Sequence, residues 1–175
     1  LHVWNHGLFK ALLFLGAGSV LHATGTREMS RLGGLWRSMP WTAGLFTLGA
    51  IAIAGLPPLN GFVSEWLVFL GLFDAVSANS VASWVAVPAA ILLGLTGALA
   101  LACFVKVCGV VFLGAPRVVA QASSLCDSNS DINPGTHRQD ACATTSHECG
   151  WRRRGPMLVL GVFCVAIGLA PVLFW

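Results

Sequence analysis

From Val81 to Leu113 the chain is apolar throughout, and Lys106 is the single charged side chain in that run. A helix needs only about 20 such residues to cross a hydrocarbon layer of about 30 Å, so lipid is the natural solvent of this segment. The composition agrees: 56% of the residues are hydrophobic and 10% charged, against about 45 to 50% and about 25% in an ordinary soluble domain. A mean hydropathy of +0.78, with 7 Trp and 20 Gly and no Tyr, excludes disordered, nucleic-acid-binding and disulfide-scaffold classes, none of which needs so much apolar surface. The net charge of +3 points to no acidic partner, because only Lys10 and Lys106 among the basic residues lie outside polar segments. The expectation is an all-α polytopic membrane bundle. Since the chain opens on apolar Leu1 and stays apolar to Trp175, we read residues 1–175 as a fragment of a larger membrane domain.

Val3 to Ala23 makes the first crossing, ending at Thr24-Gly25 as a C-cap. A polar connection, Thr26 to Pro40, carries Arg27, Glu28, Arg31 and Arg37. Trp41 to Leu56 is apolar but short, about 24 Å as a helix, and Pro57, Pro58 and Gly61 stop it before a second short piece, Phe62 to Ala75. Two arrangements compete: a hairpin of two crossings, or one crossing broken inside the membrane. The broken helix puts the first Arg-rich connection and the polar segment 117–155 on one side, as the positive-inside rule favours, whereas the hairpin separates them. The broken helix is preferred. Gly94, Ala98 and Ala102 recur every fourth residue and predict a close-packing face for another helix. The last crossing is Met157 to Trp175, and 117–155 reads as a solvated loop with no fold of its own.

A titratable side chain at membrane depth costs several kcal/mol and calls for a partner or a function. His2, His6 and Lys10 fall four residues apart, so they stack along one stripe of the first helix over roughly 12 Å. Imidazole titrates near neutral pH, and an amine gives up its proton more readily when desolvated, so such a stripe can line a proton path. The competing account sets the histidines at the membrane interface and lets Lys10 snorkel. Three polar residues on one side of an apolar helix favour function. His22, at the far end of the helix, suits an interfacial position somewhat better and is kept as an outer relay member. Glu65 follows the break, the one setting in which irregular backbone is tolerated in a bilayer and can hold ions or water; Ser64 capping a helix start also accounts for it. Lys106, one turn past Ala102, either snorkels or faces the bundle interior, and the small-residue face favours the interior.

The string His6-Gly-Leu-Phe-Lys10-Ala-Leu-Leu-Phe-Leu-Gly-Ala-Gly-Ser-Val-Leu-His22 is followed by Leu32-Gly-Gly-Leu35, Met39-Pro40 and Gly55-Leu-Pro-Pro-Leu-Asn-Gly-Phe-Val-Ser-Glu65. Together these resemble the antiporter-like membrane subunits of respiratory complex I, a family that includes the Mrp-type cation/proton antiporters and the membrane subunits of hydrogenase-4 and formate hydrogenlyase. With Phe104-Val-Lys106 and Phe112-Leu-Gly-Ala-Pro-Arg117, the chain most resembles the hydrogenase-4 component B branch. The resemblance covers nearly everything but the polar loop. It implies a large bundle built of two inverted repeats, of which this is the later part of the second, in a prokaryotic cell membrane. It matches His2, His6 and Lys10 to the family's central hydrophilic axis, and Glu65 to the titratable residue of the broken helix near the proton exit. The family's first half, with its Glu/Lys pair, lies outside this chain, so the fragment is not expected to move ions alone. Gly7 departs from the family's usual Ala without altering the relay.

No phosphate-binding glycine motif, nucleophile elbow or iron-sulfur cysteine pattern is present. No cofactor and no catalytic centre are expected, and redox chemistry is assigned to partners. Cys103, Cys108 and Cys164 read as small core residues. Cys126, Cys142, His147 and Cys149 lack the paired knuckle of a zinc site, so no metal is expected. The favoured function is proton translocation along a buried Lys/His/Glu relay, as the non-redox membrane subunit of a hydrogenase or NADH:quinone-type complex. Its partners would be other membrane subunits, a peripheral redox or hydrogenase arm, lipid and protons, with no nucleic acid. The alternatives are membership of an Mrp-type sodium/proton antiporter complex and a structural membrane anchor.

Overall fold

The structure is a computed structural model that describes residues 1–77, 83–115 and 151–170, without the side chains of 151–153. Helix α1 spans His2–Thr24, α2 Leu35–Ser38, α3 Pro40–Ile53, α4 Asn60–Ser77, α5 Ser83–Cys108 and α6 Trp151–Leu169. A π-helical turn, Gly109–Leu113, continues α5. Two helices are long and apolar enough to cross a membrane, His2–Thr24 and Ser83–Leu113; Pro40–Ile53 and Arg154–Leu169 are shorter apolar helices. As expected, α1 ends on Gly25, whose left-handed backbone (φ 67°) lets its N–H cap Leu21 O at 2.8 Å.

Helix α1 buries Asn5, Phe9, Leu12, Leu13, Gly16, Ser19 and Val20, a spacing that keeps one face inward. Against that face run α3 and α6, both antiparallel to it. Gly16 abuts Phe46, and Gly49 abuts Leu12 and Leu13. The same register continues past the break: Asn5 meets Asn60, and His2 meets Ser64. As the α1 number falls from 16 to 2, its partner rises from 46 to 64. The two short helices therefore run end to end in one direction along α1.

Helix α5 makes the same point from the other side. Its first residue, Ser83, donates to Ala75 O and Val76 O (both 3.2 Å) at the end of α4. The π-helical turn that continues it brings Phe112 to Phe46 midway along α3, with ring centroids 5.3 Å apart. One uninterrupted helix of 31 residues, about 46 Å long, thus lies beside both halves of the broken one. A hairpin would fold α4 back beside α3 and could not be spanned in this way. The connection at 26–39, the end of α5 and the start of α6 consequently share one end of the bundle, where Met157 lies against Ser19 and Gly16.

Three expectations change. The connection Thr26 to Pro40 is more than polar surface: it forms α2 and buries Leu32, Leu35 and Met39 in a cluster with Val20, Phe46 and Phe112 or beside it. Helix α6 begins at Trp151 rather than Met157, inside the segment read as loop. Hydropathy marks where lipid begins, whereas arginine is a good helix former and extends the helix beyond the apolar stretch. Gly94, Ala98, Ala102 and Lys106 stand on exposed surface, so no described helix packs on the small-residue face and Lys106 does not face the interior of the described bundle. The readings for 116–150, including Cys126, Cys142, His147 and Cys149, and for 171–175 lie outside the described residues.

Candidate functional site

The chain between α3 and α4 is held by turns, with Gly55 N–H on Ala52 O and Leu56 N–H on Ile51 O, both 3.3 Å. Two glycines make this geometry possible. Gly55 sits at φ 66° with the Glu65 carboxylate directly over its α-carbon, so a Cβ there would meet Glu65 Oε2. Gly61 opens α4 so close to the end of α3 that a Cβ would collide with the Ala52 carbonyl oxygen. The turn at left-handed Gly55 ends the first helix, Pro57 and Pro58 keep it from resuming, and Gly61 lets the second start almost in contact with it.

Onto this break α1 lays its first two turns. The His2 and His6 rings are 6.1 Å apart, and His6 meets Phe9 edge-on at 5.3 Å. Ser64 Oγ donates to Gly61 O at 2.9 Å and lies 3.1 Å from His2 Nδ1. With the hydroxyl hydrogen used on Gly61, the serine oxygen accepts from His2 Nδ1–H, which leaves Nε2 of the neutral ring as the proton-accepting atom. His2 also acts electrostatically on half-buried Glu65. Beneath this layer Asn5 and Asn60 are fully buried. Asn5 Nδ2 donates to Asn60 O at 3.1 Å, and Asn60 Nδ2 donates to Asn5 O at 3.5 Å.

Of the six residues expected to form the relay, His2, His6 and Glu65 are thus brought together at the break. Lys10, His22 and Lys106 stand apart from it on the described chain, all three exposed. Lys10 points away from the packed face of α1, His22 lies at the end of α1 far from the break, and Lys106 lies two residues from Cys108, which bonds Thr47 near the middle of α3. Sequence reasoning missed Asn5 as a participant. Its signal was a polar residue in register with Phe9 and Leu12 on the apolar face. Pro57, Pro58 and Gly61 occupy the break as expected.

A transmembrane helix bundle in which a polar helix face meets a discontinuous helix is the class of structure that these elements define. Residues 1–104 match the family described as NADH:quinone oxidoreductase/Mrp antiporter, TM, and the chain belongs to it. It is 48% identical over 117 residues to hydrogenase-4 component B of Escherichia coli, covering 66% of this chain and 17% of that protein. It is 44% identical over 126 residues to formate hydrogenlyase subunit 3 of the same organism, covering 71% of this chain and 21% of that protein. A Na(+)/H(+) antiporter subunit of Alkalihalophilus pseudofirmus is 44% identical over 79 residues, 45% of this chain and 10% of that one. The fold superposes on one chain of the Mrp complex from Dietzia sp. with a TM-score of 0.71 at 23% identity, over 97% of this chain and 34% of that one. The chain therefore spans about a fifth of the length of the two Escherichia coli relatives. These relatives are subunits of multi-subunit complexes, and the family is a transmembrane one.

Proposed function

We propose that the protein to which this chain belongs is a proton-translocating subunit of a redox-driven complex of the hydrogenase-4, formate hydrogenlyase or NADH:quinone oxidoreductase type, embedded as a multi-pass protein in a prokaryotic inner membrane. The observation that carries the reading is the meeting of His2 with Ser64 at 3.1 Å beside Glu65. A titratable stripe there touches the one place where backbone hydrogen bonding in the crossing is interrupted. In this reading a proton passes between His2, His6 and Lys10 along α1 and reaches Glu65 across the break, while His22 and Lys106 serve the path farther along. Exposed Lys10 and Lys106 would acquire partners from the rest of the protein, since charge facing hydrocarbon is costly. Electron transfer takes place in a peripheral arm, and the chain contributes as the C-terminal part of the membrane domain.

An Mrp-type sodium/proton antiporter is the second reading, supported by the 79-residue match to an antiporter subunit. The match to hydrogenase-4 component B runs to 117 residues, which favours the redox-driven branch. The test uses the full-length protein in its complex, in inverted vesicles. Proton uptake that follows a pulse of formate or NADH, in sodium-free buffer, is the expected result. Uptake that ignores the electron donor and follows an imposed sodium gradient would assign the antiporter reading instead.

A further inference from the structure

Asn5 and Asn60 are both fully buried, yet the side-chain oxygen of each is without a hydrogen-bond partner among the described residues. Each amide uses its nitrogen on the other residue's backbone carbonyl, so the two form a reciprocal bridge between positions 55 apart in the chain. Both carbonyls already belong to helices, Asn5 O within α1 and Asn60 O in the first turn of α4, whose own ladders supply donors. The bridge therefore satisfies no backbone group that would otherwise lack a partner. It leaves two acceptors buried and unpaired, and an orphaned buried acceptor costs at least as much as an ordinary hydrogen bond returns. Two apolar side chains of similar size would hold α1 against the break as firmly. What they would not do is fix its register, because apolar contact is non-directional whereas a pair of opposed hydrogen bonds allows one alignment.

That register matters one turn away. His2 precedes Asn5 by three residues, and Ser64 follows Asn60 by four, so the bridge and the His2–Ser64 contact are successive rungs between the same two helices. Fully buried Cys164 of α6 contacts the Asn60 amide and closes the third side. We propose that Asn5 and Asn60 form a clasp whose role is to position the α1 polar stripe on the helix break, aligning His2 with Ser64 and Glu65. They are positioning residues. This rests on the proton-translocation reading above, and its consequence is specific: the clasp contributes to transfer and not to stability.

The experiment compares wild type with Asn5→Leu, Asn60→Leu and the double variant in the full-length protein within its complex. Three quantities are read: assembled amount and melting temperature, protons taken up per electron from formate or NADH, and the pH profile of that ratio. The titratable groups around the clasp are His2 and His6 on α1, Glu65 on α4 and Cys164 on α6. The double variant should assemble and melt like wild type while its proton-to-electron ratio falls by about tenfold or more, as displacements of about 1 Å do to transfer steps, with a displaced pH profile. Each single variant removes one of the two bonds and keeps the other, whose acceptor is a backbone carbonyl, so its ratio should fall between those of wild type and the double variant. Should the single variants fail to assemble, the double variant, which strands no amide, decides alone. A double variant with the wild-type ratio and pH profile overturns the clasp, as does one that loses transfer only in proportion to lost assembly. A wild-type complex that takes up no protons sinks the proposed function instead.

Discussion

Replacing Gly61 by alanine tests the geometry of the break most directly. The added methyl would lie inside the contact distance of the Ala52 carbonyl oxygen, with the Ala52 carbonyl carbon 2.9 Å away. Both atoms are backbone, so no side-chain rotation relieves the overlap, and α4 must move away from the end of α3. Overpacking of a well-filled site costs about 1 to 3 kcal/mol and occasionally more; a backbone collision belongs at or above the top of that range. Gly71 in the same helix is the control. A Cβ there meets nothing within 4 Å, and alanine in place of glycine in an exposed helix interior gains about 0.8 to 1.0 kcal/mol. The two substitutions are chemically identical and should differ by about 4 kcal/mol on those two figures, seen as a lower melting temperature for Gly61→Ala and a slightly higher one for Gly71→Ala in the purified full-length protein. Equal melting temperatures would mean that the two half-helices do not approach as closely as this structure has them, and the account of the break would fall.

Lys10→Ala in the full-length protein should reduce proton uptake per assembled complex far more than it reduces assembly, because alanine keeps helix propensity and strands no charge; unchanged uptake per complex would remove Lys10 from the path. Cysteines placed at Ser30 and Ser123 should react with an impermeant thiol reagent from the same side of the membrane, and labelling from opposite sides would refute the single broken crossing. Phe112→Ala should cost about 3 to 5 kcal/mol of stability, measured by denaturant titration of the solubilised protein, because Phe112 is buried against Phe46 where the continuation of α5 meets α3. A cost below about 1 kcal/mol, well under the range for a buried phenylalanine, would show that this corner of the core is not closed by α5.

Local chemistry made much of this chain legible before any coordinates. Hydropathy is a property of short windows, so the apolar segments and the membrane class could be read directly, and α1 ends at Gly25 as its sequence indicates. Proline and glycine act on their own backbone, so the interruption between Ile53 and Asn60 was visible from Pro57, Pro58 and Gly61. The four-residue spacing of His2, His6 and Lys10 likewise follows from helix geometry alone. Tertiary structure decided the rest, because it depends on residues distant in sequence. Whether the break joins one crossing or separates two was decided by α5 lying along both halves, through contacts at Ala75 and Phe46 that no local pattern encodes. Leu32 and Leu35 look like stray apolar residues in a polar connection until they meet Phe112 in one buried cluster. Asn5 is one polar residue on an apolar face until Asn60 meets it across the break. Local sequence sets the free energy of each segment in its solvent; the pairing of segments is set by shape and hydrogen bonding between them, and only the folded chain supplies both partners at once.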